Sequence, residues 1–588
     1  MTRPSEPNRS GDDLLFLVAV GLLGTASVGH WLAGNLAALL GRGRLLHARV
    51  PDALAALTRL PDHWGDPRRA WSEPAASNLP GPVLYWTSAA VVAVVTIVLV
   101  ASAVSLVDRR RHQPVDQRRR LGVDAQPRLA GTRELRPLLV NRPEPGRFLL
   151  AAWGRRYLAT ESVGSGRRRA VRGAVAVVGP SQSGKTTGLV AGVTAWRGPA
   201  IVSSVKSDIV RATLASRSAI GEVKVFDPVG ITGMDKATWS PLRAARELTG
   251  ALAAAQMLAR AGADEGPHDR FWRGQAEQLI AAMLWTAANT EGHSMRHVVK
   301  WVLDLDRPAG DDKGTLGPLV RLLTDHPDDA VALAARQVQG WLHGQWKTDP
   351  RTTSSVYATA RNAVWPWADP DVAESADGCD ITLDWLLGGN NTLFLCAPLG
   401  DETRVGAVFA VLLHDLITQA FARYNRVGEP LEPRLLVLLD EAANTPLPKL
   451  PQWASTVTGA GMQLVTVWQS KAQLDQIYGR DADDVLTNHR TKLIYPSGLS
   501  DMATIEYVSA LVGKEHVRSD LDEQSWSRQG ERPPARTPAT AVPFVSASIL
   551  RQMEVGDGLL LHGELPPAWI RPPSRRRARS GARVGLPA

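Results

Sequence analysis

A glycine-rich loop between a short apolar strand and a helix carries the clearest chemical signal in the chain. Ala174 to Val178 is a β-branched run, and Thr187 to Trp196 has the composition of a helix. The sequence between them, GPSQSGKT, has the GxxxxGK[ST] spacing of a P-loop in its strand-loop-helix setting. Backbone N–H groups of such a loop bind phosphate oxygens, and the helix N-terminus adds positive potential. The predicted nucleotide-binding residues are Gly179, Pro180, Ser181, Gln182, Ser183, Gly184, Lys185, Thr186 and Thr187.

Two side chains of this loop and two acids farther along the chain suit ATP hydrolysis. Lys185 is expected to reach the β and γ phosphates of ATP, and the Thr186 hydroxyl to ligate Mg²⁺. The apolar run Leu435 to Leu439 is typical of a strand buried on both faces of a parallel sheet. It ends in Asp440 and Glu441. We predict that Asp440 holds Mg²⁺ through water and that Glu441 orients the attacking water.

A second apolar run, Met462 to Trp468, predicts another buried strand, which ends at Gln469 before a helical stretch. A polar amide at that strand end could sense the γ phosphate. The alternative role is an ordinary hydrogen bond that caps the following helix. We assign Gln469 to catalysis together with Lys185 and Glu441.

These side chains need a parallel β-sheet to bring their strands together. Four more buried runs predict further strands: Ile201 to Val205, Val223 to Phe226, Leu393 to Cys396 and Leu493 to Tyr495. Because ligands gather at the carboxyl ends of such strands, we expect Lys206, Asp208 and Asp227 near the site. Capping or salt-bridge roles fit these three residues equally well.

Two long uncharged runs precede the nucleotide-binding segment. Neither Leu14 to Gly41 nor Val83 to Val107 contains a charged side chain. At ~1.5 Å per residue, a helix over either run can cross a ~30 Å hydrocarbon core. We predict two transmembrane helices, 14–41 and 83–107, joined by a loop of roughly 40 residues.

The charges after the second run predict its orientation in the membrane. Six arginines follow it: Arg109, Arg110, Arg111, Arg118, Arg119 and Arg120. Flanks rich in Arg and Lys face the cytoplasm, where ATP is found. We expect a multi-pass protein of the cytoplasmic membrane, with its ATPase domain in the cytoplasm and the lipid bilayer as a partner.

The composition excludes several other classes. The 588 residues, 44% hydrophobic and 21% charged, fit a folded protein of two or three domains rather than a collagen-like or wholly disordered chain. The two cysteines, Cys379 and Cys396, cannot form a four-thiolate zinc site. A net charge of +9 is compatible with binding nucleic acid or anionic lipid, but over this length it distinguishes neither.

Several further motifs accompany the P-loop and the acidic strand end. They are WGRRYLATES (Trp153 to Ser162), VVGPSQSGKTT, FDPVG (Phe226 to Gly230), TWSPL (Thr238 to Leu242), FWRGQAEQL (Phe271 to Leu279), LLDEAANTPLPKLP (Leu438 to Pro451), WQS (Trp468 to Ser470) and QIYG (Gln476 to Gly479). With the two N-terminal spans, this set resembles the type IV secretion coupling proteins, the TraG/TraD-like conjugative DNA-transfer ATPases. Many NTPases share the P-loop, whereas DEAANTPLPKLP followed by a strand ending in Gln is much more specific.

The resemblance implies an α/β fold, with a RecA-like P-loop NTPase domain, an inserted all-α domain and two N-terminal transmembrane helices. It also implies a homo-hexamer around a central channel that uses ATP and Mg²⁺ to deliver single-stranded DNA, with its relaxase, to a type IV secretion channel. Walker A maps to Gly179 through Thr187, Walker B to Asp440 and Glu441, and the sensor glutamine to Gln469. After the second strand the family often shows an aspartate-proline-lysine-glycine-glutamate-like run. Here the sequence is VKSD, which leaves Lys206 as the counterpart.

The predicted organisation has five parts. They are a membrane anchor over 1–108, a basic linker over 109–147, the RecA-like domain over 148–242 and 386–515, an all-α insertion over 243–385, and a polar loop, short return segment and basic tail over 516–588. Arg351 or Arg361, near the exit of the insertion, could act on a neighbouring subunit's ATP. The alternative for either arginine is a surface salt bridge.

Other functions share parts of this pattern. A coupling ATPase for protein effectors only would keep every motor residue. An FtsK-like chromosome DNA translocase shares the core but usually carries more spans and a C-terminal DNA-reading domain, for which no compact segment remains after a sheet that ends near Tyr495. An ABC-type transporter predicts a signature such as LSGGQ before Walker B, and Thr418 to Arg434 contains none.

Overall fold

The chain divides into two compact units, Met1–Ala125 and Gln126–Ala588, in a computed structural model. The structure describes residues 9–111, 121, 123–124, 126–162, 173–204, 207–261, 267–308, 314–397, 402–445, 447–517 and 540–573.

The first unit is helical. Its helices are α1 (Arg9–Arg42), α2 (Val50–Arg59), α3 (Ala75–Asn78) and α4 (Pro82–Arg111), with 3₁₀ turns at Leu60–His63 and Pro67–Ala70. Helix α1 packs along α4. The segment between them folds around a small apolar core that includes Leu46, Trp71 and Tyr85. The loop predicted between the two spans is therefore a packed structure.

Helix α4 has the length and exposure of a membrane span. Its residues Pro82–Ser102 are apolar enough to cross a membrane and are mostly exposed. Ile97 and Leu99, for example, are 66% and 64% exposed. The span predicted over 14–41 lies on α1, whose side chains are described only from Gly24 onward. A second helical segment of similar length and hydropathy, Val405–Val427, is mostly buried in the second unit, as expected of a core helix.

The second unit is built on a nine-stranded sheet in the order β14-β13-β10-β4-β9-β8-β5-β7-β6. Its strands are β4 (Val175–Val178), β5 (Ala200–Ser204), β6 (Val223–Phe226), β7 (Thr392–Cys396), β8 (Leu435–Leu439), β9 (Met462–Trp468), β10 (Thr491–Ile494), β13 (Gly558–His562) and β14 (Ala568–Ile570). The seven strands from β10 to β6 are parallel, whereas β13 and β14 pair antiparallel. The other five described strands form a three-stranded and a two-stranded sheet: β1 (Leu139–Val140), β2 (Leu149–Trp153), β3 (Arg156–Ala159), β11 (Lys514–Val517) and β12 (Thr540–Pro543).

The central strands are apolar throughout because both faces of the sheet are covered. All five residues of β8 and all seven of β9 are buried. In β8, Leu435, Val437 and Leu439 belong to one hydrophobic core, while Leu436 and Leu438 belong to the other. Successive side chains of a strand point to opposite faces, so one apolar run supplies two cores.

The helices of the second unit cover both faces of this sheet and fill a long connection. They are α5 (Lys185–Ala195), α6 (Asp208–Ser218), α7 (Leu248–Ala261), α8 (Pro267–Ala288), α9 (Met295–Leu303), α10 (Leu316–Leu323), α11 (Asp329–Trp346), α12 (Pro350–Val364), α13 (Pro370–Glu374), α14 (Leu383–Leu387), α15 (Glu402–Val427), α16 (Leu450–Thr456), α17 (Lys471–Tyr478), α18 (Ala482–Asn488), α19 (Met502–Val512) and α20 (Ala547–Gln552). Within the described residues, every secondary-structure element between β6 and β7 is a helix. Most tryptophans there pack in the core, as Trp285 and Trp367 do, whereas Trp365 is 54% exposed.

The basic linker predicted over 109–147 is shorter than expected, because residues from 126 onward belong to the second unit. The Ala130 N–H donates to the Pro567 carbonyl at 2.8 Å. Arg147 is 8% exposed and its Nε donates to the Thr160 carbonyl. The basic composition predicts a linker, but here the Arg147 guanidinium donates to backbone carbonyls inside the fold.

The prediction that the sheet ends near Tyr495 is also wrong. Strand β13 pairs antiparallel with β10, and β14 pairs with β13, so the chain returns to extend the sheet. Part of the predicted polar loop is a ribbon as well, since β11 pairs with β12. Residues 518–539 between them lie outside the described part of the chain, as does the basic tail from 574. The exposed strands β11 and β12 and the three-residue strand β14 lack the buried apolar run that predicts the other strands.

Candidate nucleotide site

The P-loop joins β4 to α5 in a conformation that depends on its glycines. Gly184, directly before α5, has φ 99°, a left-handed conformation that favours glycine. A Cβ on Gly179 would lie 2.3 Å from the Tyr495 carbonyl oxygen. The Gly179 N–H donates to the Trp468 carbonyl at 3.1 Å, which ties the start of the loop to β9. The loop is therefore held closely against the neighbouring strands.

The side chains of the loop suit a phosphate. Lys185 Nζ donates to the carbonyls of Gly179 and Pro180, the latter at 2.7 Å, so its ammonium group is turned into the loop. Thr186 and Thr187 are exposed at the first turn of α5. The Ser183 Oγ is buried and has no hydrogen-bond partner among the described residues. A buried hydroxyl that lacks a partner fits a loop shaped for an anion.

The two acids lie at the carboxyl end of β8. The Asp440 N–H donates to the Ser203 carbonyl at 2.8 Å, and the Ser204 hydroxyl donates to Asp440 Oδ2 at 3.0 Å. Ser204, at the end of β5, therefore helps to orient the carboxylate that we assign to Mg²⁺.

Glu441 has a left-handed backbone, with φ 54° and ψ 58°. For a residue other than glycine this conformation costs about 1–3 kcal/mol and is concentrated at functional sites. The Asn444 amide donates to Glu441 Oε2 at 3.1 Å. Backbone and amide together fix the direction of this carboxylate.

The sheet brings the loop and the acids to one edge. Strand β9 lies between β4 and β8, with Val178 paired to Trp468 and Leu439 paired to Thr466. Adjacent strands lie ~4.8 Å apart, so the ends of β4 and β8 are roughly 10 Å apart. The carboxyl ends of these parallel strands face the same side, which leaves room between lysine and acids for a phosphate chain and a cation.

Gln469 follows β9 at that edge and is exposed. Its N–H donates to Gln473 Oε1 at 3.0 Å. The cap of α17 is Ser470, whose hydroxyl accepts from the Gln473 N–H at 3.2 Å. Since Ser470 caps the helix, the Gln469 side chain is not needed for that role.

Three other residues were predicted near the site, and one of them lies outside the described residues. Asp227 follows β6 at the far end of the sheet and is 1% exposed. Its carboxylate accepts from the Gly230 N–H at 2.8 Å and from the Thr232 N–H at 2.7 Å, which is a loop-capping role. Asp208 begins α6, and Lys206 lies outside the described residues.

The arginines considered as fingers lie on α12 in the helical connection. Both Arg351 and Arg361 are exposed, and neither is required for packing in the core. Their action on a neighbouring subunit remains a prediction.

The described side chains offer no protein-only metal cage. Within that part of the chain, no group of three or more His, Cys, Asp and Glu side chains could hold a metal ion. Burial raises the pKa of Cys396 to about 12, so its thiol stays protonated. Mg²⁺ binds through one or two protein oxygens and substrate phosphates, so Thr186 and Asp440 fit it without a cage.

Sequence reasoning missed Ser204 and Asn444. Asn444 is the i+3 residue from Glu441 in a 3₁₀ turn, a spacing that could have suggested the contact. Nothing local pointed to Ser204, because its contact with Asp440 joins two strands far apart in sequence.

Removal of the Ser204 hydroxyl should weaken the response to Mg²⁺. Outer-shell partners of metal ligands typically contribute a factor of about 10–100 in metal affinity. We expect Ser204→Ala to require about 10-fold more Mg²⁺ for half-maximal binding of a fluorescent ATP analogue. The control is Ser203→Ala, whose side chain points to the opposite face of β5. Equal Mg²⁺ dependence in the two variants would exclude this role for Ser204.

The strand-loop-helix P-loop and the acids at the same sheet edge define a P-loop nucleotide-binding protein. The family described as "Type IV secretory system Conjugative DNA transfer" matches residues 150–535. The chain belongs to this family.

Two curated relatives carry related names. The probable conjugal transfer protein TraG of Sinorhizobium fredii is 22% identical over 376 residues, which cover 62% of this chain and 56% of the relative. The conjugal transfer protein TraG of Rhizobium radiobacter is 27% identical over 183 residues, 31% of this chain and 28% of the relative. The matched region thus spans about half or less of each relative's length.

Solved structures share the fold. The bacterial conjugative coupling protein TrwBdeltaN70, in a trigonal form in complex with sulphate, aligns with a TM-score of 0.53 at 15% identity, covering 77% of this chain and 94% of that chain. Its unbound monoclinic form aligns with a TM-score of 0.50 at 17% identity, covering 68% and 84%. At these identities the likeness shows a common fold.

Proposed function

We propose that this chain is a membrane-anchored ATPase that couples ATP hydrolysis to the delivery of single-stranded DNA, or a relaxase–DNA complex, to a type IV secretion channel. The main support is that the Lys185 loop, Asp440 and Glu441 lie at one edge of the sheet in a chain of the conjugative DNA-transfer family. TrwB was solved with the non-hydrolysable ATP analogue ADPNP, and this chain shares its fold with a TM-score of 0.50. That supports ATP as the ligand here.

The proposed mechanism assigns each step to a side chain. Lys185 exchanges its contacts with the loop carbonyls for phosphate oxygens, where its charge stabilises the transition state. Thr186 and Asp440 would hold Mg²⁺, which neutralises phosphate charge when bound. Glu441 orients the attacking water, with Asn444 fixing its carboxylate. Gln469, exposed at the end of β9, reports whether the γ phosphate is present.

The assembly is proposed to be a homo-hexamer around a channel, as the resemblance implies. DNA transport then follows from successive ATP hydrolysis around the ring, with Arg351 or Arg361 as candidate contacts to a neighbour's ATP.

The direct test of DNA as the cargo is the ATPase rate of the purified chain with and without single-stranded DNA. DNA should raise kcat, and the effect should weaken as salt is raised, because phosphate contacts are electrostatic. An ATPase rate that does not change when DNA is added favours a coupling ATPase for protein effectors only.

We further propose that α1 and α4 anchor the chain in the cytoplasmic membrane as a multi-pass protein. The exposed apolar surface of α4 and the arginines after it support this placement. The full chain should fractionate with membranes and resist extraction by high salt. A chain that starts at residue 126, where the second unit begins, should be soluble, less oligomeric and still able to bind ATP. Salt-extractable full-length protein would contradict the anchor.

A further inference from the structure

The C-terminal part of the second unit touches the P-loop. We define the return loop as residues 554–557, which directly precede β13. The Gly556 N–H donates to the Ser183 carbonyl at 3.0 Å. A Cβ on Gly184 would lie 2.8 Å from the Gly556 Cα, so the two backbones are in van der Waals contact. A segment more than 350 residues away in sequence therefore lines the phosphate-binding loop.

The end of the same hairpin approaches the first turn of α5. Pro572, after β14, lies 3.7 Å from the position of a Cβ on Gly188 and 3.8 Å from that on Gly556. Gly188 follows Thr187 directly. The return loop and Pro572 thus meet each other beside the start of α5.

Charged contacts hold the return loop in place. Arg571 Nε donates to Asp557 Oδ1 at 2.7 Å, and its guanidinium lies 3.6 Å from a Glu554 carboxylate oxygen. The Arg571 carbonyl accepts from the Ala152 N–H at 2.8 Å. Because β13 is paired to β10 and β10 to β4, the loop is also fixed to the P-loop strand through the sheet. The wall beside the P-loop is therefore built in advance of any ligand.

The strand order indicates which end of a nucleotide this wall meets. Asp440 directly follows β8, which lies two strands from β4 on one side, whereas β10 and β13 lie on the other side of β4. The cation and terminal phosphate belong near Asp440. A nucleotide held by the loop therefore directs its nucleoside end away from β8, toward the return loop and Pro572.

The surface there exposes two apolar residues, Val555 and Pro572, beside the charged side chains of Glu554 and Arg571. Val555 is 70% exposed although its carbonyl carbon lies 3.9 Å from the Cβ position of Gly184. Pro572 is only half-buried. Ligand sites are lined mainly by apolar side chains with a few polar groups, and the face of a purine is an apolar surface. An exposed valine next to a phosphate-binding loop fits the base of a nucleotide.

We propose that the return loop and Pro572 form the nucleoside-binding wall of the ATP site, with Val555 as the apolar contact to the base. The inference rests on the proposed function, since it takes the P-loop as an ATP site. It adds that the C-terminal return strands complete that site within one chain and contribute to its preference for a nucleotide over bare polyphosphate.

The test separates base contacts from phosphate contacts. The full-length chain in detergent carries Val555→Asn, which is polar but uncharged, and its Kd is measured by calorimetry for ATP and for inorganic tripolyphosphate, both with Mg²⁺. Loss of the proposed apolar contact between Val555 and the base should raise the Kd for ATP at least about 5-fold. The Kd for tripolyphosphate should stay within about 2-fold, because that ligand has no base. Val555→Leu, which keeps an apolar surface, should bind ATP more tightly than Val555→Asn.

The matched control is Leu322→Asn, since Leu322 is also 70% exposed and lies on α10 in the helical connection. It should change neither Kd. Equal weakening of both ligands by Val555→Asn would mean that the P-loop itself is disturbed and would overturn the nucleoside wall, as would no change in either. If the unsubstituted chain binds neither ligand, the proposed function fails together with this inference.

Discussion

Lys185→Ala is expected to lose ATP binding and hydrolysis. The ammonium group sits inside the loop, within 2.7 Å of the Pro180 carbonyl, where phosphate oxygens would replace the carbonyls as acceptors. A hydrogen bond to a charged group contributes about 1.5–3 kcal/mol, equivalent to a rise in Kd of about 10- to 150-fold. Loss of one transition-state donor should lower kcat by a further factor of about 100–1,000. Calorimetry and a phosphate-release assay measure the two effects.

The fold should survive this substitution, because alanine is the best helix former and Lys185 is the first residue of α5. Lys300→Ala is the matched control, since Lys300 is an exposed lysine on α9 whose contact is an ion pair with Asp304 at 2.9 Å. It should bind and hydrolyse ATP normally. Unimpaired ATP binding by Lys185→Ala would show that the P-loop is not part of the ATP-binding site.

Glu441→Gln should separate binding from turnover. The amide keeps the shape of the carboxylate but cannot accept a proton from water, and such a group typically contributes a factor of about 100 or more. We expect ATP to bind with little change in Kd while turnover falls at least about 100-fold. Single-turnover measurement with radiolabelled ATP tests this directly. Because Asn444 donates to Glu441 Oε2 at 3.1 Å, the glutamine can keep that contact through its carbonyl oxygen.

The control for Glu441 is Glu506→Gln on α19, which removes an exposed acid far along the chain from the site. Its turnover should equal that of the unsubstituted chain. Normal turnover in Glu441→Gln would exclude this residue as the group that orients water, and Asp440 would then be the remaining acid at the strand end.

The local sequence predicted the central part of the site. The GxxxxGK[ST] spacing places Lys185 and Thr186 at the start of a helix, and an apolar run of five residues places Asp440 at the end of a buried strand. Both patterns depend on contacts between near neighbours in the chain, which is why they can be read without coordinates. The uncharged run over 83–107 predicted α4 for the same reason.

Contacts between distant residues could not be predicted in this way. Ser204 meets Asp440 across 236 positions of sequence, and nothing in the composition of β5 marks its last serine. Arg147 lies in the predicted basic linker, yet its guanidinium is buried. Burial is tolerated because the guanidinium donates a hydrogen bond to the Thr160 carbonyl. The sequence does not distinguish an arginine whose guanidinium donates hydrogen bonds to water from one whose guanidinium donates them to backbone carbonyls.

The sequence by itself determined that this chain carries a phosphate-binding loop, a strand ending in two acids and at least one apolar segment of membrane length, since each follows from the spacing of adjacent residues. Only the tertiary structure decided that β9 separates the loop from the acids, that β13 and β14 extend the sheet, and that Gly556 contacts the P-loop. The physical reason is that strand order and the approach of two backbones depend on packing over the whole domain, to which short polar or irregular segments contribute no periodic signal of their own.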